Sequence, residues 1–171
     1  MLSGRGNNPN SLENVRSGDT LVPMTDDVIV RYDLEKFVNS LWPWKKEYPI
    51  ELRLLEGTPG DTWYARAYSG FPRIEVNNAA LLAAGLLENL RYIKVMLVHE
   101  VGHLEYYGRM PAANRVIGEE QNEYIADKFV IDKGYGNDLV WALCRSIQNC
   151  PDNPLKRLRL TNALRLMGSP A

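Results

Sequence analysis

The sequence predicts a single α+β domain: a small antiparallel sheet packed on one central helix, followed by a helical C-terminal part. Three observations predict it. Apolar residues recur at intervals of three and four through residues 28–42 and 90–107, the period of amphipathic helices, and Glu123 and Asp127, four apart among apolar neighbours, mark another helix over 119–131. Shorter stretches at 48–55, 62–68 and 72–77 alternate, though imperfectly, and mark three strands between the first helix and the rest. The chain has 171 residues, 45% of them hydrophobic and 24% charged, which suits one core of ordinary composition.

Residues 1–22 are rich in Gly, Asn and Ser and are expected to form a disordered tail, with the domain over 23–168 and a short tail at 169–171. Asp26 and Asp27 offer an N-cap to a helix whose Val30, Leu34, Phe37, Val38 and Leu41 share a face. Trp42-Pro43-Trp44 ends it; packing in the core or as a lid is expected in preference to a binding surface. The first strand is followed by a turn at Gly57-Thr58-Pro59-Gly60, and the second by a hairpin turn at Ser69-Gly70. After the third strand, Asn77 or Asn78 caps a short Ala/Leu helix ending near Leu87. Leu90 opens the central helix, with Leu90, Ile93, Leu97, Val101 and Leu104 facing the core and Gly108 placed to stop it. Gly118-Glu119 opens the next helix, Asp132 to Asn137 breaks it, and helices over 139–147 and 155–167 complete the chain.

The chemistry is concentrated in His99-Glu100-Val101-Gly102-His103, which holds both histidines of the chain. Four residues turn a helix about 40° past one revolution, so the two imidazoles stack on one face where a single Zn²⁺ can bridge them. Glu100 lies one step round, beside the metal, where a carboxylate can take a proton from a water that the metal activates. Two ligands hold a catalytic zinc poorly, and with no further His the third must be Asp, Glu or Cys. Glu123 and Asp127 in Asn122-Glu123-Tyr124-Ile125-Ala126-Asp127 are also four apart, on a helix face flanked by apolar residues. A buried carboxylate pair needs partners, and a metal with its histidine would supply them.

These two motifs together resemble those of the gluzincin metallopeptidases, whose pattern is HExxH followed by Glu-x-x-x-Asp on a later helix. The resemblance runs from about residue 70 to residue 164 and implies a zincin-like fold and a zinc-dependent endopeptidase with one Zn²⁺ per chain. It implies that His99, His103 and Glu123 are the ligands, Glu100 the general base, and Asp127 the carboxylate that orients His99. The Glu-Tyr-Ile-Ala-Asp form is similar to the branch containing HtpX and the CAAX-prenyl endopeptidases. In that branch a His-Pro-x-x-x-x-Arg segment follows, matched here by Pro154 and Arg159 with Asn153 in place of the His. Arg159 is therefore a candidate at the cleft, against the alternative of a basic face formed with Lys156, Arg157 and Arg165. With no third His, the donors that could steady the reacting oxygen are Tyr107, Tyr124 and Arg159. Gluzincins pair an extended substrate with the free edge of the strand before the active-site helices, which implies Ile74, Glu75 and Val76 here. Asn77 could hold substrate amides, although a helix cap is its expected role.

A net charge of −1 without basic blocks argues against a nucleic-acid partner. The longest apolar run, Ala79 to Leu87, is too short for a bilayer, unlike the membrane-embedded HtpX group. No secretory leader is visible in residues 1–20, so a cytoplasmic enzyme acting on peptides or proteins is expected. Cys144 and Cys150 are expected as free thiols. Two other functions compete: a regulatory peptidase of one partner, of the ImmA type found in phages and mobile elements, and a non-catalytic binding protein in which zinc only ties helices together.

Overall fold

The computed structural model describes residues 27–57, 63–68, 71–87, 89–109 and 117–168. The expected tails, residues 58–60 of the first turn, the Ser69-Gly70 turn and most of the 110–118 link lie outside these residues. Six helices and three strands follow in the order α1 (Asp27–Leu41), β1 (Glu51–Leu55), β2 (Ala65–Ala67), β3 (Arg73–Asn77), α2 (Asn78–Ala83), α3 (Leu90–Arg109), α4 (Glu119–Asp132), α5 (Gly136–Asn149) and α6 (Pro154–Leu166). The α+β class is as expected.

The sheet departs from expectation in two ways. It is mixed, because β1 runs parallel to β3, pairing Glu51 with Arg73 through Leu55 with Asn77, while β2 runs antiparallel. Its order is β1-β3-β2, so β3 is the central strand and Ile74, Glu75 and Val76 are no free edge. Burial explains the choice. Ile74 and Val76 pack into the core, and Glu75, though charged, is buried under Arg66 and the Tyr68 hydroxyl, both of which donate to it. Such a strand needs neighbours on both sides to satisfy its backbone. The edge beside the helices is β2.

Polar side chains fix the joints. Asn39 of α1 clamps the start of β1, donating to the Ile50 carbonyl and accepting from its N–H. Asn77, fully buried, caps α2 by accepting from Ala80 N–H at 3.0 Å, so it is not available to a substrate. That helix stops at Ala83, ahead of Gly85, whose φ of +65° only glycine adopts without strain. Asn153 caps α6 with Pro154 in its first turn, which is the structural reason for the Asn-Pro pair.

Helix α3 is the axis of the domain, packing on α4, β2, β3, α1 and α5. Every residue from Leu97 to Leu104 is buried, so the central turns are enclosed on all sides. Closest approach is to α4. A Cβ on Gly102 would stand 3.0 Å from the Ala126 Cα, so a glycine and an alanine let the two backbones nearly touch. Gly108 does not stop α3, which continues to Arg109. Instead the Trp44 ring comes within 3.1 Å of the place a Cβ would take. Among the described residues no helix is long and apolar enough to cross a membrane, and Cys144 and Cys150 are free and exposed.

Candidate metal centre

His99 and His103 project from the buried middle of α3, and the Gly102–Ala126 contact carries α4 close enough for Glu123 to reach them. The His99 and His103 Nε2 atoms are 3.1 Å apart. Glu123 brings one carboxylate oxygen to 3.2 Å from the His99 Nε2 and the other to 3.5 Å from the His103 Nε2. The two imidazole nitrogens and the carboxylate, which turns one oxygen to each, stand at separations close to the ligand-to-ligand edges of tetrahedral Zn²⁺, about 3.4 Å for bonds of about 2.0–2.1 Å. Two imidazoles and a carboxylate are a donor set that suits zinc.

Each imidazole is oriented through its other nitrogen. The Asp127 Oδ1, in a residue only 1% exposed, lies 2.9 Å from the His99 Nδ1. A carboxylate only accepts, so Nδ1 carries the proton and Nε2 keeps its lone pair for a metal. Arg159 Nη2, 3.2 Å from the same Nδ1, is then in contact without a hydrogen bond. The Asn122 Oδ1 does for His103 what Asp127 does for His99, at 3.1 Å from its Nδ1. Sequence reasoning assigned Asn122 no role. The signal was there, because a second ligand histidine needs an acceptor of its own and Asn122 adjoins Glu123.

Arg159 comes in from α6 and binds both carboxylates. Its Nε and Nη2 donate to the two oxygens of Asp127 at 2.9 and 2.7 Å, and its Nη1 pairs with the Glu123 Oε2 at 2.6 Å. Of the two readings of α6, Arg159 therefore follows the first, while Arg157 stays outside and donates to the Pro151 carbonyl. Electrostatics match the geometry. Burial raises the carboxyl of Asp127, but His99 and Arg159 outweigh it and hold it below the usual range. Glu123 is lowered far more: burial opposes ionisation, and the two histidines with Arg159 win. For His99, burial and Arg159 act downward, yet Asp127 and Glu123 raise it to about 9, so without a metal Nε2 holds a second proton toward Glu123 at neutral pH, which a bound metal ion would displace.

Glu100 is buried, with a carboxylate oxygen within 4.8 Å of a ring nitrogen of each histidine. It shares a cavity of about 250 Å³ with His99, Glu123, Arg159 and the β2 end, Tyr64 and Ala65. Ala65 brings the start of β2 to this space. Asn77 N–H bonds the Tyr64 carbonyl and Tyr68 N–H the Arg73 carbonyl, so residues 64, 66 and 68 turn their backbone groups toward β3. By antiparallel alternation Ala65 and Ala67 turn theirs outward, to an edge that no strand covers among the described residues.

Two other candidate donors are elsewhere. Tyr107 stacks on the far side of His103, with ring centroids 6.4 Å apart and planes at 22°. Tyr124 is partly exposed on α4, and neither tyrosine lines the Glu100 cavity. No protein-family model matches the chain, and no curated protein or solved structure matches it either.

Proposed function

We propose that this chain is a zinc-dependent endopeptidase of the gluzincin type with a zincin-like fold. The observation that carries the reading is the convergence of His99, His103 and Glu123 beside the buried carboxylate of Glu100, in a cavity walled by an open strand edge. His99, His103 and Glu123 would hold the ion. When bound, Zn²⁺ supplies Lewis acidity, bringing the pKa of a coordinated water to about 7 and polarising a carbonyl.

The chain's own residues do the rest. Glu100 accepts the proton of the attacking water and returns it to the leaving amine. Asp127 and Asn122 keep the imidazole rings in the ligating tautomer. Arg159 locks Glu123 and Asp127 in place, and of the three named donors it alone borders the cavity where the carbonyl oxygen gains charge. The outward N–H and C=O groups of Ala65 and Ala67 pair with an extended substrate backbone, which gives affinity without sequence preference.

The test is metal analysis together with hydrolysis of a peptide mixture. One zinc per chain is expected, with cleavage abolished by phenanthroline. Glu100→Gln should keep the zinc and lose activity by about 10²–10⁴-fold. An equally active Glu100→Gln protein eliminates the mechanism, and a zinc-loaded protein that cleaves no peptide identifies a binding role.

A further inference from the structure

A second cavity, of about 460 Å³, lies further along α3, against Leu104, Tyr107 and Gly108. Six aromatic rings line it: Trp42, Trp44, Tyr48, Tyr68, Phe71 and Tyr107. Its α3 wall is Leu104 and Gly108, continuing the stripe that carries Glu100, and opposite stands Tyr68, directly after β2, as Tyr64, directly before β2, borders the first cavity. We infer that this aromatic cavity is a substrate subsite, which takes a large aromatic side chain about three residues to the amino-terminal side of the cleaved bond. The inference rests on the peptidase reading for its substrate.

The spacing follows from helix and strand dimensions. Glu100 and Tyr107 are seven residues apart on α3, which at ~1.5 Å per residue is about 10 Å. An extended chain covers that distance in about three residues at ~3.3 Å each. Direction follows from β2, which runs from the first cavity toward the second. A substrate pairing antiparallel, the stronger arrangement, enters the second cavity with its amino-terminal side.

The walls are preformed. Trp42 is buried and its indole N–H donates to the Tyr48 carbonyl at 2.6 Å, while Trp44 stands edge-on to it and rests on the α3 backbone at Gly108. Around the mouth, Phe71 is 69% and Tyr48 64% exposed, large apolar surfaces that a bound ring would cover. A lone carboxylate at the lining, Glu47, makes arginine the rival occupant.

The experiment uses zinc-loaded protein and three peptides that differ only at the third position before a bond first located by cleavage of a peptide library. That position carries Phe, Ala or Arg. The Phe peptide should be cleaved with kcat/KM about ten- to a hundred-fold above the Ala peptide. Tyr48→Ala with Phe71→Ala, at surface positions whose loss leaves the core intact, should bring the ratio toward one. Equal rates for Phe and Ala, or a preference for Arg, overturn the subsite and leave the peptidase reading standing. If no peptide is cleaved, the peptidase reading falls. The subsite is then decided by titrating the same three peptides into the Glu100→Gln protein and following tryptophan fluorescence: tighter binding of Phe supports it, and equal or absent binding overturns it.

Discussion

Replacing Arg159 by Ala removes the guanidinium that touches both Glu123 and Asp127, the two carboxylates that His99 also contacts. Glu123 and Asp127 contribute two negative charges, and Arg159 offsets one of them through three contacts of 2.6–2.9 Å. The Asp127 side chain is 1% exposed and that of Glu123 18%, so water replaces little of what is lost. Breaking a buried pair by deleting one partner costs about 3–5 kcal/mol, so in the presence of a chelator the variant should lose that much stability. For a domain of this size the melting temperature should fall by about 10 °C or more. Saturating zinc brings two positive charges to the same carboxylates, and the deficit should shrink to about half or less, since a ligand of the folded state adds stability by mass action. Arg159→Lys should fall between, because an ammonium cannot span the pair as a guanidinium does. Urea denaturation of the three proteins, with chelator and with zinc, measures each term. A chelated Arg159→Ala protein within about 0.5 kcal/mol of the parent would refute the argument that these carboxylates depend on Arg159.

Asn122→Ala should weaken zinc binding about ten- to a hundred-fold by freeing the His103 ring, while a calorimetric titration at the parent's affinity would dismiss Asn122 as an orienting group. Gly102→Ala should destabilise by about 1–3 kcal/mol, even though alanine is the better helix former, because its methyl meets α4 backbone at 3.0 Å; a rise in melting temperature would contradict that packing. Glu75 has its carboxyl lowered below 4.5: burial acts upward, and Tyr68 and Arg66 outweigh it. A lowered folded-state pKa contributes stability that is present above the unfolded value and lost as pH falls through the folded one. Glu75→Gln should therefore cost about 1–2 kcal/mol at pH 7, with Arg66 half-exposed, and less near pH 3. An equal cost at both pH values would exclude the ionised form as the source.

What the sequence disclosed follows from how far each signal reaches. Helix α3 was legible because Leu97, Val101 and Leu104 recur within one element, and the pairs His99–His103 and Glu123–Asp127 because a helix fixes their geometry locally. Strand order is not local. Nothing within residues 73–77 records that β1 pairs with β3 across 22 residues, and the polar Glu75 and Asn77 disguise a strand buried on both faces. The pattern therefore points to β3 as the free edge beside the helices, where the sheet places β2. Gly108 was read as a helix stop because a glycine needed for close packing against Trp44 looks the same in sequence as one needed for a turn. Arg159 lies 60 residues from His99, so only the Pro154–Arg159 spacing hinted at its place.

The brevity of β2 has a consequence for solubility. An uncovered strand edge is a template on which identical chains can stack into fibrils, and long apolar edges are the dangerous ones. Here the strand is three residues long, among the described residues only Ala65 and Ala67 present their amides outward, and between them stands the exposed, charged Arg66. Two residues give a second copy too few bonds to nucleate a growing ladder, and a row of stacked arginines would repel itself. The same edge is long enough to steady a guest that is also held at another point.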